Sequence, residues 1–600
     1  MYPATIFNWH DQSQISTETT SAEIDDSPLL MQVFSSDKGT EDLIEINDDD
    51  FDAMYGTMSF QKHGQSAIQA KAIVKAGGRL LAKRVVADDA TLANVILCAH
   101  IVEAIPAEVD PETGAITKAG SIKVKWVATT ATGCKSFADV KAAAKKLYEA
   151  DSVIPLIIYA DNGRGESVKA VRLTPDYAAS KTIGKTFYAI SVYEGTKITE
   201  KKSISFDPTV IYNDNAYRLD EYTNIQISGY VFDDYFEEYV KLISDTLCAD
   251  PELVRSSDII NGYTNRGAKL DNGFVIDADS VDLDAEIGIA LSSGSNGEFG
   301  AAPVNTSAWT KAIVNVFKGK GSLIGSEHQN LDEVFDVDQH KIAAILDADY
   351  PIEVKDAIFD FVTFRKDCVF LRDYGTDCTT YAKIQEMYDK FTDRRNFFTA
   401  DYCTSYLIED PVTKKNIPVT CMYDMAIKMV NALATNPFAP ICGIANGFIL
   451  DNAIEGTISF TPINTPSINM KELMEDIKVN YAIFQDRRCV MQSCYSSQLE
   501  YTQLSWINNV IGIQTVLRAV RRECPAMRYS LVTGSDLSDY STAVSKVLGN
   551  YTSNFNTLNF IYTQDKLQTA QKIFYASIEF AFLNWAQTEI FDVYAINNNQ

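Results

Sequence analysis

Two aspartates that follow an apolar run have the clearest potential for chemistry in this 600-residue chain. Asp347 and Asp349 come directly after Lys341–Leu346, a run with the composition of a buried strand. Two carboxylates at this spacing could divide phosphoryl transfer, since one can attack phosphorus and the other can protonate the leaving group. Helix capping is the simpler interpretation, because Pro351 occupies a favoured first helical position and aspartate accepts hydrogen bonds from free helical N–H groups.

The same pair resembles the nucleophile and the acid of haloacid-dehalogenase-like phosphohydrolases, which act with magnesium. Pro351 stands where that family usually has Thr or Val, and the sequence offers no evident partner lysine or later acidic pair. A phosphohydrolase that uses Asp347 and Asp349 is therefore an alternative function. The expectation is a protein that is not an enzyme and has no catalytic residue, no metal and no cofactor.

Two further motifs fall short of ligand sites. Gly184-Lys185-Thr186 ends like a phosphate-binding loop, but Ala179 stands where the motif needs its first glycine. The acidic run Asp48 to Asp52 is similar to the start of a calcium loop, yet Ala53 takes the position of the required glycine. The acidic run is better explained as a helix N-terminus, where carboxylates cap free N–H groups.

The eleven cysteines contain no CxxC pair, and the closest two in the sequence are Cys489 and Cys494. With only five histidines in the chain, no zinc cluster can be assembled from neighbouring residues. We therefore expect reduced and mostly buried thiols.

The net charge of −27 argues against binding nucleic acid through phosphate neutralisation. Residues 471–600 hold 11 of the 53 basic and 12 of the 80 acidic residues, so almost all of the excess negative charge lies before them. This asymmetry predicts that the C-terminal part faces another protein, although solvation of exposed acidic domains would explain it too. No apolar run reaches the ~20 residues of a spanning helix, and no basic residue precedes Lys38 as a secretory signal requires, so we expect no membrane insertion.

The stretch from about residue 33 to residue 95 predicts a strand, a capped helix and a second strand, separated by glycines. It contains, in order, Val33–Gly39, Asp50–Gly56, Gly77–Val85 and Asp88–Asn94. This series resembles the N-terminal half of contractile tail sheath proteins of myophages.

Two later passages are similar to the same family. Residues 340–374 predict a strand, a helix beginning at Pro351 and a second buried strand, which together form a parallel, right-handed βαβ unit. Arg365-Lys366-Asp367 matches the "R-x-D" passage of sheath proteins. The loop Leu291–Gly297 matches their glycine-rich loop loosely, with Ser293 and Asn296 in place of Gly and Asp.

The resemblance implies a structural subunit of a contractile phage tail sheath, or a relative in a phage-derived injection machine. Subunits of that family form stacked hexameric rings around a tail tube, and baseplate triggering makes the sheath contract and drive the tube through the host envelope. The implied partners are further copies of the chain, the tail tube protein, and baseplate and tail terminator proteins, with no direct nucleic acid contact. The implied location is the virion tail, with assembly in the host cytoplasm. Another virion structural protein, such as an adhesin or a capsid-surface protein, is a further alternative.

The fold class expected on this basis is α/β and α+β multidomain. It comprises the conserved α/β sheath core of that family, N- and C-terminal strand arms and an inserted β-rich domain. The predicted division is an N-terminal arm at 1–30, a sheath N-terminal and middle region at 31–103 and 208–300, an inserted, outward-facing β-rich domain at 104–207, a central α/β domain at 301–470, a C-terminal tube-facing domain at 471–588 and a C-terminal arm at 589–600.

Two sets of residues are candidates for contacts between subunits. Strands at both chain ends would have free edges that invite pairing with another chain, and sheath arms link neighbours in this way. The arm residues are Tyr2, Ile6, Phe7, Trp9, Ile590, Phe591, Val593, Tyr594 and Ile596. A helix predicted over about Trp506 to Glu523 has a basic face that would dock on the tube or simply be solvated. The tube-facing basic residues are Arg518, Arg521, Arg522 and Arg528.

Overall fold

The computed structural model of this chain describes residues 28–46, 51–105, 108–118, 121–151, 153–176, 188–194, 196–204, 211–212, 215–216, 229–230, 287–299, 306–318, 333–337, 339–524, 534–563 and 575–583. A membrane-spanning helix, with its demands on length and apolar character, does not occur among them. The amphipathic pattern from Asp233 to Leu247 predicts a further helix, and this segment lies outside the described residues.

Ten α-helices lie in the described parts of the chain. They are α1 (Phe51–Tyr55), α2 (Phe60–Lys75), α3 (Phe137–Asp151), α4 (Ser307–Lys318), α5 (Ile352–Arg365), α6 (Tyr381–Lys390), α7 (Met422–Thr435), α8 (Met470–Asp476), α9 (Ile507–Glu523) and α10 (Gly534–Gly549).

The described strands form several separate sheets. In the first half of the chain they are β1 (Leu29–Ser35), β2 (Leu43–Ile46), β3 (Arg79–Val85), β4 (Leu92–Ile105), β5 (Glu108–Val109), β6 (Ile116–Lys118), β7 (Ser121–Thr129), β8 (Val153–Arg164), β9 (Lys169–Pro175), β10 (Tyr188–Glu194), β11 (Lys197–Ile204), β12 (Ile211–Tyr212), β13 (Asn215–Ala216), β14 (Gly229–Tyr230) and β15 (Ile287–Ala290). In the second half they are β16 (Ile342–Leu346), β17 (Val369–Asp373), β18 (Thr399–Tyr402), β19 (Ser405–Glu409), β20 (Asn416–Thr420), β21 (Asn464–Thr465), β22 (Ile468–Asn469), β23 (Val479–Asn480), β24 (Ala482–Gln485), β25 (Arg488–Met491), β26 (Phe555–Thr563) and β27 (Tyr575–Phe582).

A seven-stranded sheet in the order β2-β3-β1-β16-β17-β18-β23 organises the molecule. Only β2 runs antiparallel to its neighbour, and the other six strands are parallel. Its central strands are buried along their whole length, as parallel strands covered on both faces must be. The sheet joins strands from the predicted 31–103 and 301–470 regions, so both share one hydrophobic core.

The predicted βαβ unit is confirmed in its order of elements and in its parallel pairing. β16 and β17 pair in parallel through Ala344 and Val369, and α5 connects them. Pro351 immediately precedes α5, because its fixed φ suits a helix start. α5 ends at Arg365, and the next residue, Lys366, is its C-cap. Lys366 has a left-handed conformation with φ 64° and donates its backbone N–H to the Val362 carbonyl.

The described residues of the predicted 104–207 region are rich in β-structure, and their sheets also include β4, which begins at Leu92, and the later strands β14 and β15. One four-stranded sheet has the order β14-β8-β4-β7 and another has the order β11-β10-β9-β15. The sequence around Phe137 to Ala150 predicts a helix within this β-rich region, and α3 confirms it. The chain is therefore a mixed α/β multidomain protein with several sheets.

The C-terminal helices pack against a two-stranded hairpin. α9, predicted from about Trp506 to Glu523, begins at Ile507 and ends at Glu523. Val516, Val544, Phe555 and Phe582 form a second core that joins α9 and α10 to β26 and β27. Within the described residues, β26 and β27 pair only with each other, so each has one edge without a strand beside it.

Gly78 offers a test of how tightly α7 packs on the sheet. A Cβ at this position would lie 2.5 Å from Val430 Cγ2 of α7 and 3.1 Å from the Ile73 carbonyl oxygen. We expect Gly78→Ala to lower the free energy of unfolding by about 1–3 kcal/mol through overpacking. The measurement is denaturant unfolding followed by circular dichroism.

The matched control is Gly549→Ala, because a Cβ on Gly549 would meet nothing within 4 Å. It should change the free energy of unfolding by less than about 0.5 kcal/mol. Equal stability of the two variants would mean that α7 moves away from β3 at little cost.

Candidate functional site

The carboxyl ends of β16 and β17 bring two aspartates together around one lysine. Lys355, in the first turn of α5, donates from Nζ to Asp347 Oδ2 at 2.6 Å and to Asp373 Oδ1 at 2.8 Å. The lysine also donates to the Asp373 carbonyl oxygen at 2.9 Å. All three side chains are at most 3% exposed, so the ammonium and its partners are removed from water.

Backbone N–H groups satisfy the remaining oxygens of Asp347. Oδ1 accepts from Ala348 at 2.8 Å and from Tyr350 at 3.1 Å, and both donors lie before the start of α5. The N-cap of α5 is Pro351 and no side chain caps it, so the predicted helix capping by Asp347 is wrong. Oδ2 also accepts from the Asp373 N–H at 3.1 Å. Its hydrogen bonds are thus internal, and the carboxylate is not presented to a substrate.

Asp349 lies at the half-buried rim of this cluster with φ 59°. Its carboxylate accepts from the backbone N–H and the hydroxyl of Thr376, at 3.2 and 3.1 Å. Burial raises the pKa of Asp349 to about 6, and the charge of Asp373 adds to the rise while Lys355 opposes it. The same causes raise the pKa of Asp347.

A chain of buried hydrogen bonds ties the lysine cluster to α2 and β1. Thr420 donates to Asp373 Oδ2 at 2.8 Å and receives a bond from Gln65 Nε2 at 2.8 Å. Gln65 donates to Gln69 at 3.0 Å, and Gln69 donates to Gln32 Oε1 at 2.9 Å. A polar chain of this kind stabilises the core only when every member is paired, and here it fixes one position of α2 on the sheet.

The crevice where the sheet order reverses, between β1 and β16, is filled by side chains. Ligands of open α/β sheets usually bind at such a point. Here Tyr350 receives a 2.7 Å bond from Gln32 and donates to the Val33 carbonyl. Trp309 of α4 donates to Ser35 Oγ at 3.1 Å and packs on Tyr350. The position typical of an α/β active site is therefore occupied by packing.

No group of three or more histidine, cysteine or acidic side chains in the described residues is placed to hold a metal ion. A cavity of about 300 Å³ lies elsewhere, between β2, β3 and α4. Its charged lining is already paired, since Arg164 donates to both oxygens of Glu41 at 2.9 and 2.7 Å. The Lys83 ammonium donates to the Glu41 carbonyl oxygen at 2.7 Å.

A second cluster joins the seven-stranded sheet to the β-rich region, around the buried guanidinium of Arg84. Arg84 donates to Ser36 Oγ at 2.8 Å, to the Gly39 carbonyl at 2.9 Å and to Asn296 Oδ1 at 3.4 Å. Burial lowers its pKa to about 10, while Glu41 opposes that change. We call this cluster and the backbones that cross around it (36–39, 84, 91–94, 163–165 and 292–297) the Arg84 junction.

Backbones meet directly at the Arg84 junction. A Cβ on Gly163 would collide with the Gly39 carbonyl, and one on Gly294 would collide with the Gly165 carbonyl. Thr91 N–H donates to the Ser295 carbonyl at 2.9 Å, and Gly165 N–H donates to the Thr91 carbonyl at 2.9 Å. The loop Leu291–Gly297 and the segment Asp88–Asn94, which are about 200 residues apart in the sequence, are therefore in contact.

Of the residues predicted to contact other subunits or the tube, the structure describes only Arg518, Arg521 and Arg522. Arg518 is half-buried and donates to the Asp367 carbonyl and to Thr515 Oγ1, both at 3.1 Å, so it helps fasten α9 to the turn after α5. Arg521 and Arg522 are half-buried on α9, and the tube-facing role of all these arginines stays a prediction. Arg528 lies outside the described residues, and so do all the arm residues, Tyr2, Ile6, Phe7, Trp9, Ile590, Phe591, Val593, Tyr594 and Ile596.

Sequence reasoning missed Lys355, although it expected a lysine partner as a condition for phosphoryl chemistry. Lys355 follows Val354 directly and precedes the buried residues Ala357 and Ile358. The sequence does contain a signal for this role. Lys355 lies in the first turn of a helix that follows an aspartate at the end of a strand, and this position brings the two side chains close.

No protein-family model and no curated protein sequence matches this chain. Solved structures similar to it include a sheath tail protein of Desulfitobacterium hafniense, 10% identical, with a TM-score of 0.40 over 94% of this chain and 98% of that chain. A sheath tail protein of Listeria innocua is 8% identical, with a TM-score of 0.42 over 93% of this chain and 95% of that chain. The contracted sheath complex of an extracellular contractile injection system is 13% identical, with a TM-score of 0.34 over 42% of this chain and 71% of that chain.

The lysine cluster predicts a large effect of removing its cation. Lys355→Met keeps the length of the side chain but leaves Asp347 and Asp373 without a counter-charge inside the protein. We expect a loss of about 3–5 kcal/mol in the free energy of unfolding, since a buried carboxylate without its partner is strongly unfavourable. The measurement is denaturant unfolding at pH 7.

Lys390→Met is the control, because Lys390 forms an exposed ion pair with Glu386 one turn away. It should leave stability almost unchanged. A Lys355→Met protein as stable as this control would show that the buried carboxylates are neutral in the folded state.

Asp349 predicts a pH-dependent difference in stability. Its folded pKa of about 6 exceeds the usual 3.8, so the folded state holds the proton more tightly and loses stability as pH rises through that range. Asp349→Asn removes this dependence, so the variant should gain on the native protein between about pH 4 and pH 6, by at most ~1.4 kcal/mol per pH unit. The measurement is chemical denaturation across that range.

Asp377→Asn, which alters an exposed carboxylate nearby, is the control and should follow the native pH profile. Parallel profiles for the native protein and Asp349→Asn would contradict the raised pKa.

Proposed function

We propose that this chain is the structural subunit of a contractile tail sheath. It polymerises around a tail tube as stacked hexameric rings, and contraction of the polymer drives the tube through the host envelope. The proposal includes the tail tube, baseplate and tail terminator proteins as partners, assembly in the host cytoplasm, and final location in the virion tail.

One observation carries the proposal. The segments that resemble sheath proteins lie far apart in the sequence, yet they meet in the fold. Val33–Gly39 and Gly77–Val85 supply the neighbouring strands β1 and β3, and residues 340–374 supply β16 and β17 of the same sheet. Asp88–Asn94 and Leu291–Gly297 are joined at the Arg84 junction through the bridges Thr91–Ser295 and Asn94–Ser292. Motifs of one family that form one connected unit support the family's role more strongly than any single motif does.

The filled strand-end crevice supports a structural role over the phosphohydrolase alternative. Asp347 would be the nucleophile of that enzyme, but it is fully buried and bonded to Lys355. A nucleophile must lie within reach of the substrate atom it attacks, and this carboxylate faces the interior.

The β26–β27 hairpin supports the proposed linkage between subunits. Its described edges have no strand beside them, while one side of the hairpin packs on α10 through Phe555 and Val544. An edge of this kind can accept an added strand, with main-chain hydrogen bonds providing affinity. We propose that arms of neighbouring subunits, made by residues 589–600 and by the part of 1–30 that precedes β1, add strands here.

The finer division of the chain belongs to the same proposal. The β-rich part at 104–207 would face outward, 31–103, 208–300 and 301–470 would form the shared core, and 471–588 would face the tube. Such subunits make contacts that repeat without closing, so they assemble into a helix rather than a closed ring alone. Contraction is then a change of packing between rigid subunits, driven by free energy stored in the extended lattice.

Removing the C-terminal arm tests the proposal. The chain lacking residues 590–600 should remain a folded monomer with an unchanged melting temperature, because the described core does not include those residues. It should form no cylinders when concentrated, because the strand that links neighbours is absent. Negative-stain electron microscopy, together with size-exclusion chromatography, measures both outcomes.

The matched control removes only residues 597–600, which lie beyond the predicted arm strand. This protein should form hollow cylinders with sixfold end views, as the full chain should. Normal cylinders from the 590–600 deletion would overturn the arm assignment, and discrete particles from the full chain mixed with tail tube would overturn the sheath proposal.

A further inference from the structure

Two cysteines that are far apart in the sequence have adjoining thiols next to the start of α9. Cys442 is half-buried in the segment after α7, and Cys494 is buried just before α9. Both are free thiols, and their side chains are hydrogen-bond partners. The backbone N–H of Ile441 also donates to the Cys494 sulfur.

Backbone hydrogen bonds hold both segments in place. Gly443 N–H donates to the Met491 carbonyl at 2.7 Å, and Ile507 N–H donates to the Cys494 carbonyl at 3.0 Å. Cys494 Sγ also donates to Asn508 Oδ1 of α9 at 3.5 Å. The two sulfurs are therefore kept together by the folded chain, which removes most of the entropic cost of joining them.

The two thiols have different roles available to them. Hydrogen bonding with Cys494 lowers the pKa of the Cys442 thiol. Hydrogen bonding and burial raise the pKa of Cys494. A half-buried thiol of lowered pKa beside a buried thiol is the arrangement of a reactive cysteine with a resolving cysteine.

We propose that Cys442 and Cys494 form an intramolecular disulfide bond when the protein meets a hydroperoxide. The Cys442 thiolate attacks one peroxide oxygen, the O–O bond breaks, and protonation of the released hydroxide gives water and a sulfenic acid. Cys494 then attacks the Cys442 sulfur, the S–O bond breaks and the second water leaves with the thiol proton. Overall, two thiols lose two electrons and two protons, and one hydrogen peroxide becomes two waters.

The bond would fasten the segment after α7 to the start of α9. These segments belong to different parts of the predicted division, 301–470 and 471–588. The inference is independent of the sheath proposal, because it depends only on the two thiols and the backbones that hold them.

Peptide mapping of the full chain after treatment with hydrogen peroxide tests the inference. The protein is denatured in the presence of one alkylating reagent, so that all free thiols are blocked, including the buried ones. After reduction, the newly released thiols are marked with a second reagent. We expect a cross-linked peptide pair containing Cys442 and Cys494, lighter by two hydrogens and released by dithiothreitol. In Cys494→Ser the cross-link should be lost, and dimedone should label the Cys442 sulfenic acid instead.

Cys489→Ser is the matched control, because Cys489 is a buried thiol five residues from Cys494, and burial raises its pKa. Its cross-link yield should equal that of the native chain. Cys442→Ser, a change at a half-buried position, should abolish both the cross-link and the dimedone label. A native chain whose Cys494 stays free while Cys442 is oxidised, or one that pairs other cysteines, would overturn the proposal.

Discussion

The ion triad of Lys355, Asp347 and Asp373 is the interaction on which the rest of the fold depends. Charges inside a protein are tolerated only when they are paired and hydrogen-bonded, and here each partner comes from a different element. The triad therefore requires that β16 and β17 end at the level where α5 begins. Thr420 and the glutamines of α2 carry the same requirement to other parts of the core. A polar cluster that looks catalytic from the sequence instead determines how the sheet is assembled.

The Arg84 junction plays a comparable role between regions. The seven-stranded sheet and the β-rich region meet through the buried guanidinium of Arg84, the ion pair of Arg164 with Glu41, and backbones brought close by glycine. A larger side chain at Gly163 or Gly294 would separate the segments that Arg84 joins. The close approach of the β-rich region to the sheet thus depends on glycine at positions 163 and 294 as well as on the side chain of Arg84.

Local pattern was sufficient to predict some elements from the sequence. The βαβ unit follows from two apolar runs and Pro351, and α9 follows from an apolar stripe with a boundary one residue from the observed start. Contacts between distant segments could not be predicted, because neither periodicity nor spacing encodes them. From the sequence alone, Lys355 looks like a solvent-exposed helix residue, because its contact with Asp373 exists only in the folded chain. In the sequence, the cysteine nearest to Cys494 is Cys489, whereas in the fold the thiol of Cys494 lies beside that of Cys442.

The hydrogen bonds at the Arg84 junction also have a mechanical consequence. Thr91 is bonded through its N–H and its carbonyl to two different segments, and Asn94 and Ser292 form a further pair beside it. Hydrogen bonds in such a row resist a sliding force together, whereas a peeling force breaks them one after another. A load that slides the β-rich region along the sheet would be shared by all of them, so this joint is stiff in that direction and weaker in peeling.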